Sequence, residues 1–400
     1  MENGKYRHTL RELYDFIRSR LYFNRPDLQV RGEQFNSTLL FTLLTALTGG
    51  KALIIGEPGL GKTTAAEYVV IWSHFVQLPV KIVDEINRLP ETKQSMILDG
   101  VDRGNWDYLN EMIFNSEYCL FATANYQDQG TNTIIAPLLD RFDVMVESRH
   151  PGPSYGFMIS QRQEKEELLR HPDLERELQD ALKKRSTPEE KDSQIAAIAE
   201  AFGAHLEESL QLPTLDHTSR TKVREQIASI DLDQDANAYT RMLLAELSFC
   251  DRHGQKRSNE VCEEGCHYTG YLCHRLRNCA SNRLPVSLSN YAKALAWFTE
   301  ASTVGIEEIR AVGPYCLAHR AQWTDTHLSL LQKDRRNDPL QIHLAREAMN
   351  EVFQRYSEQA EHVKEALATA YRIFQGEALE PVAGDHPIYA EIQKDLNLEE

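Results

Sequence analysis

Apolar residues at the start of the chain fall at Leu10, Leu13, Phe16, Ile17 and Leu21, with Arg and Glu between them. Spacing of three and four marks one face of a helix, so Tyr6–Leu21 is predicted as an amphipathic helix leading into a core. The same pattern recurs over Gln34–Leu47 and stops at Gly49 and Gly50. Short apolar runs then take over at Lys51–Gly56, Val80–Asp84, Tyr118–Ala124 and Phe142–Glu147, each read as a buried strand. Helical stretches separate them, which is the alternation of a parallel sheet with crossover helices. His150, Pro151, Gly152 and Pro153 close this region. Beyond them almost everything reads as helix: 156–184, 188–210, 218–230, 237–249, 288–301, 306–319 and 339–375. The apolar positions of Ala345–Phe374 suit a helix packed on the preceding domain better than a partner-binding arm. Pro381, Gly384 and an acidic end predict a loosely held tail after Gly376.

Composition narrows the class. The 400 residues carry 44 basic and 60 acidic side chains, a formal charge of −16, which opposes binding to phosphate backbones and makes nucleic acid an unfavoured partner. Locally basic stretches at Arg252–Arg257 and His274–Arg283 read as a solvated face. The longest apolar run, Leu39–Leu47, is interrupted by Thr42 and Thr45 and is too short to cross a bilayer. Met1–Lys5 does not open a secretory signal, so a cytoplasmic protein without membrane segments is expected.

Gly56–Thr63 (GEPGLGKT) matches the phosphate-loop pattern at every fixed position, after an apolar strand and before the helix-like Thr64–Val70. Its glycines let backbone N–H groups curl round phosphates, Lys62 reaches the β and γ oxygens, and the Thr63 hydroxyl ligates magnesium. ATP would therefore be held by Glu57, Pro58, Gly59, Leu60, Gly61, Lys62, Thr63 and Thr64. The run Val80–Glu85 ends on two carboxylates, which suit two tasks: Asp84 on the magnesium and Glu85 polarising the attacking water. Asn125 ends another buried strand, where it can orient that water. Arg141, at a helix-to-strand join, can stabilise transition-state charge in a neighbouring subunit's site. The bland alternatives are an asparagine capping a turn and a surface Asp140–Arg141 pair.

Asp84–Arg88 (DEINR) with Pro90 and Gln94, Ala122–Asn125 with Gly130 and Thr131, and Leu139–Phe142 together resemble the MoxR group of AAA+ ATPases. The likeness covers about 30–147 and resumes at Ser281–Arg283, Lys293–Ala296, Ile309–Val312 and His319–Arg320. It implies an α/β P-loop AAA+ core of parallel strands and flanking helices, then an all-α lid and a C-terminal helical extension. The corresponding boundaries are 1–30 for an N-terminal helix, 31–150 for the nucleotide-binding core, 154–320 for the lid and 321–400 for the extension. It also implies that Arg141 is an arginine finger, that Arg283 is a second sensor touching the γ-phosphate, and that Gly32 borders the adenine pocket. Relatives of this kind form hexameric rings and are paired with proteins bearing a von Willebrand A domain.

Two departures stand out. Only 21 residues lie between Lys62 and Asp84. The group's loop helix, further strand, second helix and pore-facing insertion cannot fit, since one parallel crossover takes about a dozen residues. A stretch near Val69–Ile71 is expected to be missing. The other departure is a cysteine-rich insert at 250–279 inside the lid. Cys250, Cys262, Cys266 and Cys273, with His253 as an alternate, offer a tetrahedral zinc set. An iron–sulfur cluster or unliganded thiols are the alternatives. The expected activity is ATP hydrolysis by a homo-oligomeric ring that remodels a partner protein. A nucleic-acid motor and a nucleotide-dependent scaffold are the rival readings.

Overall fold

The computed structural model describes residues 2–57, 59, 62, 71, 74–76, 80–103, 105–108, 111–114, 118–125, 132–161, 171–184, 186–211, 217–248, 268–331 and 340–396. Its centre is a parallel sheet made by β3 (Lys51–Gly56), β4 (Val80–Val83), β7 (Cys119–Asn125) and β8 (Val144–Glu147), in the order β4-β7-β3-β8. Two hairpins accompany it: β1 (Leu28–Val30) with β2 (Glu33–Phe35) before the sheet in sequence, and β5 (Asn105–Tyr108) with β6 (Glu111–Phe114) between β4 and β7. The hydrophobic pattern missed both.

All seven residues of β7 are buried, as expected for a central strand with neighbours on both sides. β4 differs from its expectation. It forms the sheet edge among the described residues, and Ile82 is 41% exposed. An apolar run of this kind normally lies between strands; here its outer side has no partner strand among the described residues.

The helix expected from Gln34 starts instead at Ser37, because Glu33–Phe35 pairs as β2 and the Asn36 side chain caps the helix by accepting from Leu39 N. It runs to Thr48 and ends at a left-handed Gly49. The N-terminal helix (Glu2–Phe16) continues through one π-turn to Leu21, burying Leu10, Leu13 and Ile17. Within the predicted 156–184 stretch, Pro153–Ser160 and Pro172–Lys183 are helical.

Beyond β8 the described residues are nearly all helical. Helices 234–248, 283–298 and 306–317 pack together with a 35-residue helix, Leu340–Phe374, which kinks at Gln359. The expected loose tail is corrected here. Pro387–Asp395 forms a helix whose Ile388 and Tyr389 are buried. Glu246, on the helix 234–248, accepts from both Arg355 and His386, so a buried carboxylate holds the C-terminal segment that composition alone marked as free. No described helix is long and apolar enough to cross a membrane.

Candidate functional site

Strand register gathers the candidate residues at one edge of the sheet. Gly56 on β3 lies opposite Asn125 on β7, and Val83 on β4 lies opposite Ala122. Asp84 and Glu85 therefore emerge beside Thr123 and Asn125, at the carboxyl ends of parallel strands, where crevices form in open α/β sheets.

Gly56 has φ near +156, and a Cβ there would meet the Ser148 carbonyl at 2.7 Å, so the start of the loop demands glycine. Gly59 is left-handed (φ +79). Lys62 is buried, and its Nζ donates to the Gly56 carbonyl at 3.0 Å and the Glu57 carbonyl at 2.7 Å. Burial lowers the pKa of its ammonium, with the carboxylates of Glu85, Asp84 and Glu57 acting in the opposite sense. A phosphate oxygen would be a stronger acceptor than either carbonyl. Pro58, Leu60, Gly61, Thr63 and Thr64 lie outside the described residues.

Asp84 and Glu85 share one hydroxyl. Thr123 Oγ1 donates to Asp84 Oδ1 and accepts from the Glu85 backbone N–H at 2.8 Å. Glu85 sits in the left-handed region (φ 51, ψ 48), unusual for a residue with a Cβ and found where surroundings over-determine it. Its carboxylate accepts from Asn125 Nδ2 at 3.1 Å and pairs with Arg88 Nε at 2.8 Å. Asn87 braces the neighbourhood, donating to the Asn125 carbonyl at 2.9 Å and accepting from its N–H at 3.3 Å. Fully buried Gln94 donates to the Leu89 carbonyl and accepts from Ile135 N–H, both at 2.9 Å. Sequence reasoning gave Thr123, Asn87 and Gln94 no role. The available signal was, for Thr123, a polar residue inside an apolar strand, and, for Asn87 and Gln94, their place in the motif run that begins at Asp84.

The arginines lie elsewhere. Asp143 N–H donates to the Lys51 carbonyl at 2.7 Å, which sets the Asp140–Asp143 join beside the first residue of β3. Gly56, at the other end of that six-residue strand, is roughly 17 Å away at ~3.3 Å per residue. Arg141 donates to the Pro137 carbonyl at 2.6 Å. Arg283 donates to Asp140 Oδ2 at 3.0 Å and so stands at the Arg141 end, not beside Lys62. Gly32 occupies the left-handed turn between β1 and β2. The preceding Arg31 donates from its backbone to Glu307 and from Nε to buried Glu308, both at 2.5 Å, tying the hairpin to the helix 306–317.

Cys250, His253, Cys262 and Cys266 lie outside the described residues. Cys273 and Cys279 are half-buried, and Cys273 Sγ lies 3.7 Å from the Tyr268 carbonyl. Among the described residues no group of three or more His, Cys, Asp or Glu is placed to hold a metal ion. Cys119 and Cys316 are buried thiols whose pKa is pushed up to about 12 by desolvation, which leaves them unreactive.

Comparison with known proteins adds a family match and a fold. Residues 272–339 match the family model of the AAA lid domain. The crystal structure of a Cytophaga hutchinsonii protein described as a "putative ATPase" is similar in fold, with a TM-score of 0.55 and 14% identity over 88% of this chain and 95% of that one. A full-length MCM homolog from Methanopyrus kandleri aligns with a TM-score of 0.35 and 11% identity, over 69% of this chain and 52% of that one. No curated protein matches the sequence. The chain thus has a parallel-sheet core followed by a helical AAA lid and a long C-terminal helix.

Proposed function

We propose that the chain is an ATP-hydrolysing AAA+ ring protein of MoxR type, with Lys62, Asp84, Glu85 and Asn125 on the nucleotide and Arg141 serving the next subunit. One observation carries this reading: the phosphate-loop lysine and the strand-end carboxylates share one edge of the sheet, while both arginines stand at the other. A side chain on the far side of β3 does not reach its own site. It becomes useful when subunits are arranged head to tail, the heterologous contact that closes into a ring.

Lys62, now on two main-chain carbonyls, would transfer to the β and γ oxygens of ATP. Asn125 and Thr123 hold Glu85 at the strand ends. Its carboxylate takes a proton from water as that water's oxygen bonds to the γ-phosphorus, and the bridging oxygen departs with ADP. Exposed Asp84, a hard carboxylate ligand at the strand end, fits magnesium together with Thr63, and the bound ion would offset charge on the β and γ oxygens. The division at 1–30, 31–150, 154–320 and 321–400 belongs to this reading. So do Gly32 at the adenine, Arg283 at a γ-phosphate, a hexamer, and a client carrying a von Willebrand A domain. Zinc on Cys250, Cys262, Cys266 and Cys273, with His253 as alternate, is its most specific structural claim.

Nucleotide binding and turnover, measured side by side, test the proposal. Lys62→Ala should abolish binding, whereas Glu85→Gln should bind ATP while turnover falls by about 10² to 10⁴, the usual worth of a general base. Arg141→Ala should keep affinity and lose about 10³ to 10⁵ in rate. Parental turnover in Glu85→Gln, or a rate per subunit that does not change on dilution to monomer, would refute it.

A further inference from the structure

We propose that Arg320 is the positioning residue for Arg141, clamping the join that carries it to the lid so that lid position sets how far Arg141 extends toward the next subunit. The proposal rests on the reading of Arg141 as a finger.

Arg320 closes the helix 306–317 region and is only 5% exposed. Its guanidinium spends its fork on the Asp140–Asp143 join. Nη2 donates to the Phe142 carbonyl at 2.6 Å and the Asp140 carbonyl at 3.3 Å, and Nη1 donates to the Asp143 carbonyl at 3.0 Å. Three of the four carbonyls of the join are thus held by one side chain. Nε faces Asp140 Oδ1 at 3.4 Å, which supplies the countercharge. On the lid side the same fork reaches the Cys316 carbonyl at 2.6 Å and Ser287 Oγ at 3.1 Å.

Other lid side chains reinforce the grip. His319 Nε2 donates to the Phe142 carbonyl at 2.7 Å, Ser287 Oγ donates to Asp143 Oδ1 at 2.7 Å, and Ser281 Oγ donates to Asp140 Oδ1 at 2.5 Å. With these bonds crossing one short segment, the join and the lid would move as a single body. A lid displaced by nucleotide in one subunit would therefore displace its own Arg141 relative to the neighbour's phosphate. Lysine cannot substitute, since its point charge lacks the planar fork that meets several carbonyls at once.

Turnover of the full-length assembled protein decides the matter. Arg320→Lys should lower kcat by about 10- to 100-fold, the cost of an ångström-scale misplacement, with KM and ATP affinity within about twofold. The Arg141→Ala/Arg320→Lys double variant should be no slower than Arg141→Ala alone, because a clamp has nothing to position once the finger is gone. Parental kcat in Arg320→Lys, or losses that multiply in the double variant, would overturn the clamp. If Arg141→Ala itself turned over at the parental rate, the finger reading would fail first and the clamp with it. Should Arg320→Lys not fold, Ser287→Ala, which removes the lid hydroxyl that bridges Arg320 and Asp143, is judged by the same double-variant criterion.

Discussion

Glu246→Gln should cost about 3–5 kcal/mol and release the C-terminal helix, although the exchange barely alters side-chain shape. The fully buried carboxylate accepts four hydrogen bonds. Oε1 receives Arg355 Nε at 2.8 Å and His386 Nε2 at 3.1 Å, and Oε2 receives Arg355 Nη2 at 2.6 Å and the Leu272 N–H at 3.0 Å. An amide offers one accepting oxygen. Whichever way the glutamine is turned, its NH₂ meets two donors. Each stranded donor costs about 1–3 kcal/mol, and the charge-assisted bonds to Arg355 are at the upper end of hydrogen-bond worth. The pKa of Glu246 bears on the same point: burial pushes it up, but the bonds from His386 and Arg355 outweigh that and hold it below the ordinary 4.5. A depressed carboxylate contributes stability above the unfolded value and loses it as pH falls through the folded one, so the parent should weaken below about pH 4.5 and the variant should lack that dependence. Urea unfolding gives the magnitude, and limited proteolysis around Gly376–Gly384 reports release of Pro387–Asp395. A variant within about 0.5 kcal/mol of the parent, with its C-terminus equally protected, would refute the accounting.

Gly56→Ala should impair nucleotide binding and stability together, because the new methyl would sit 2.7 Å from a main-chain carbonyl; a circular-dichroism melt and a binding isotherm check this. The pKa of His319 is held well below 6.5 by burial and by Arg320, so it is neutral and donates to Phe142. Stability should therefore fall as pH drops below 6.5, by at most about 1.4 kcal/mol per pH unit, and His319→Gln should flatten that part of a melting-temperature profile. Protein purified without chelator should carry about one zinc per chain, lost when Cys262 and Cys266 are both replaced; elemental analysis without stoichiometric metal would end that expectation.

Local chemistry was legible in the residues. The apolar strands at 51–56, 119–125 and 144–147, the helix stop at Gly49 and the helical run after Pro153 each depend on neighbours in sequence, which is what periodicity and capping report. Cooperation across distance was not legible. Thr123 joins Asp84 to Glu85 only because β4 and β7 pair in one register, and β4 is an edge only because of which strands lie beside it. The ordered C-terminus depends on a carboxylate 140 positions away from His386, where composition could show only Pro, Gly and acid. Likewise the placement of Arg141 and Arg283 at the far end of β3 from Lys62 follows from strand direction, and the grip of Arg320 from how the lid docks on the join. The sequence by itself determined which groups the chain could offer a nucleotide; the tertiary structure decided which of them share one edge of the sheet. Strand pairing and burial of charge are many-residue events whose free energy no local pattern contains.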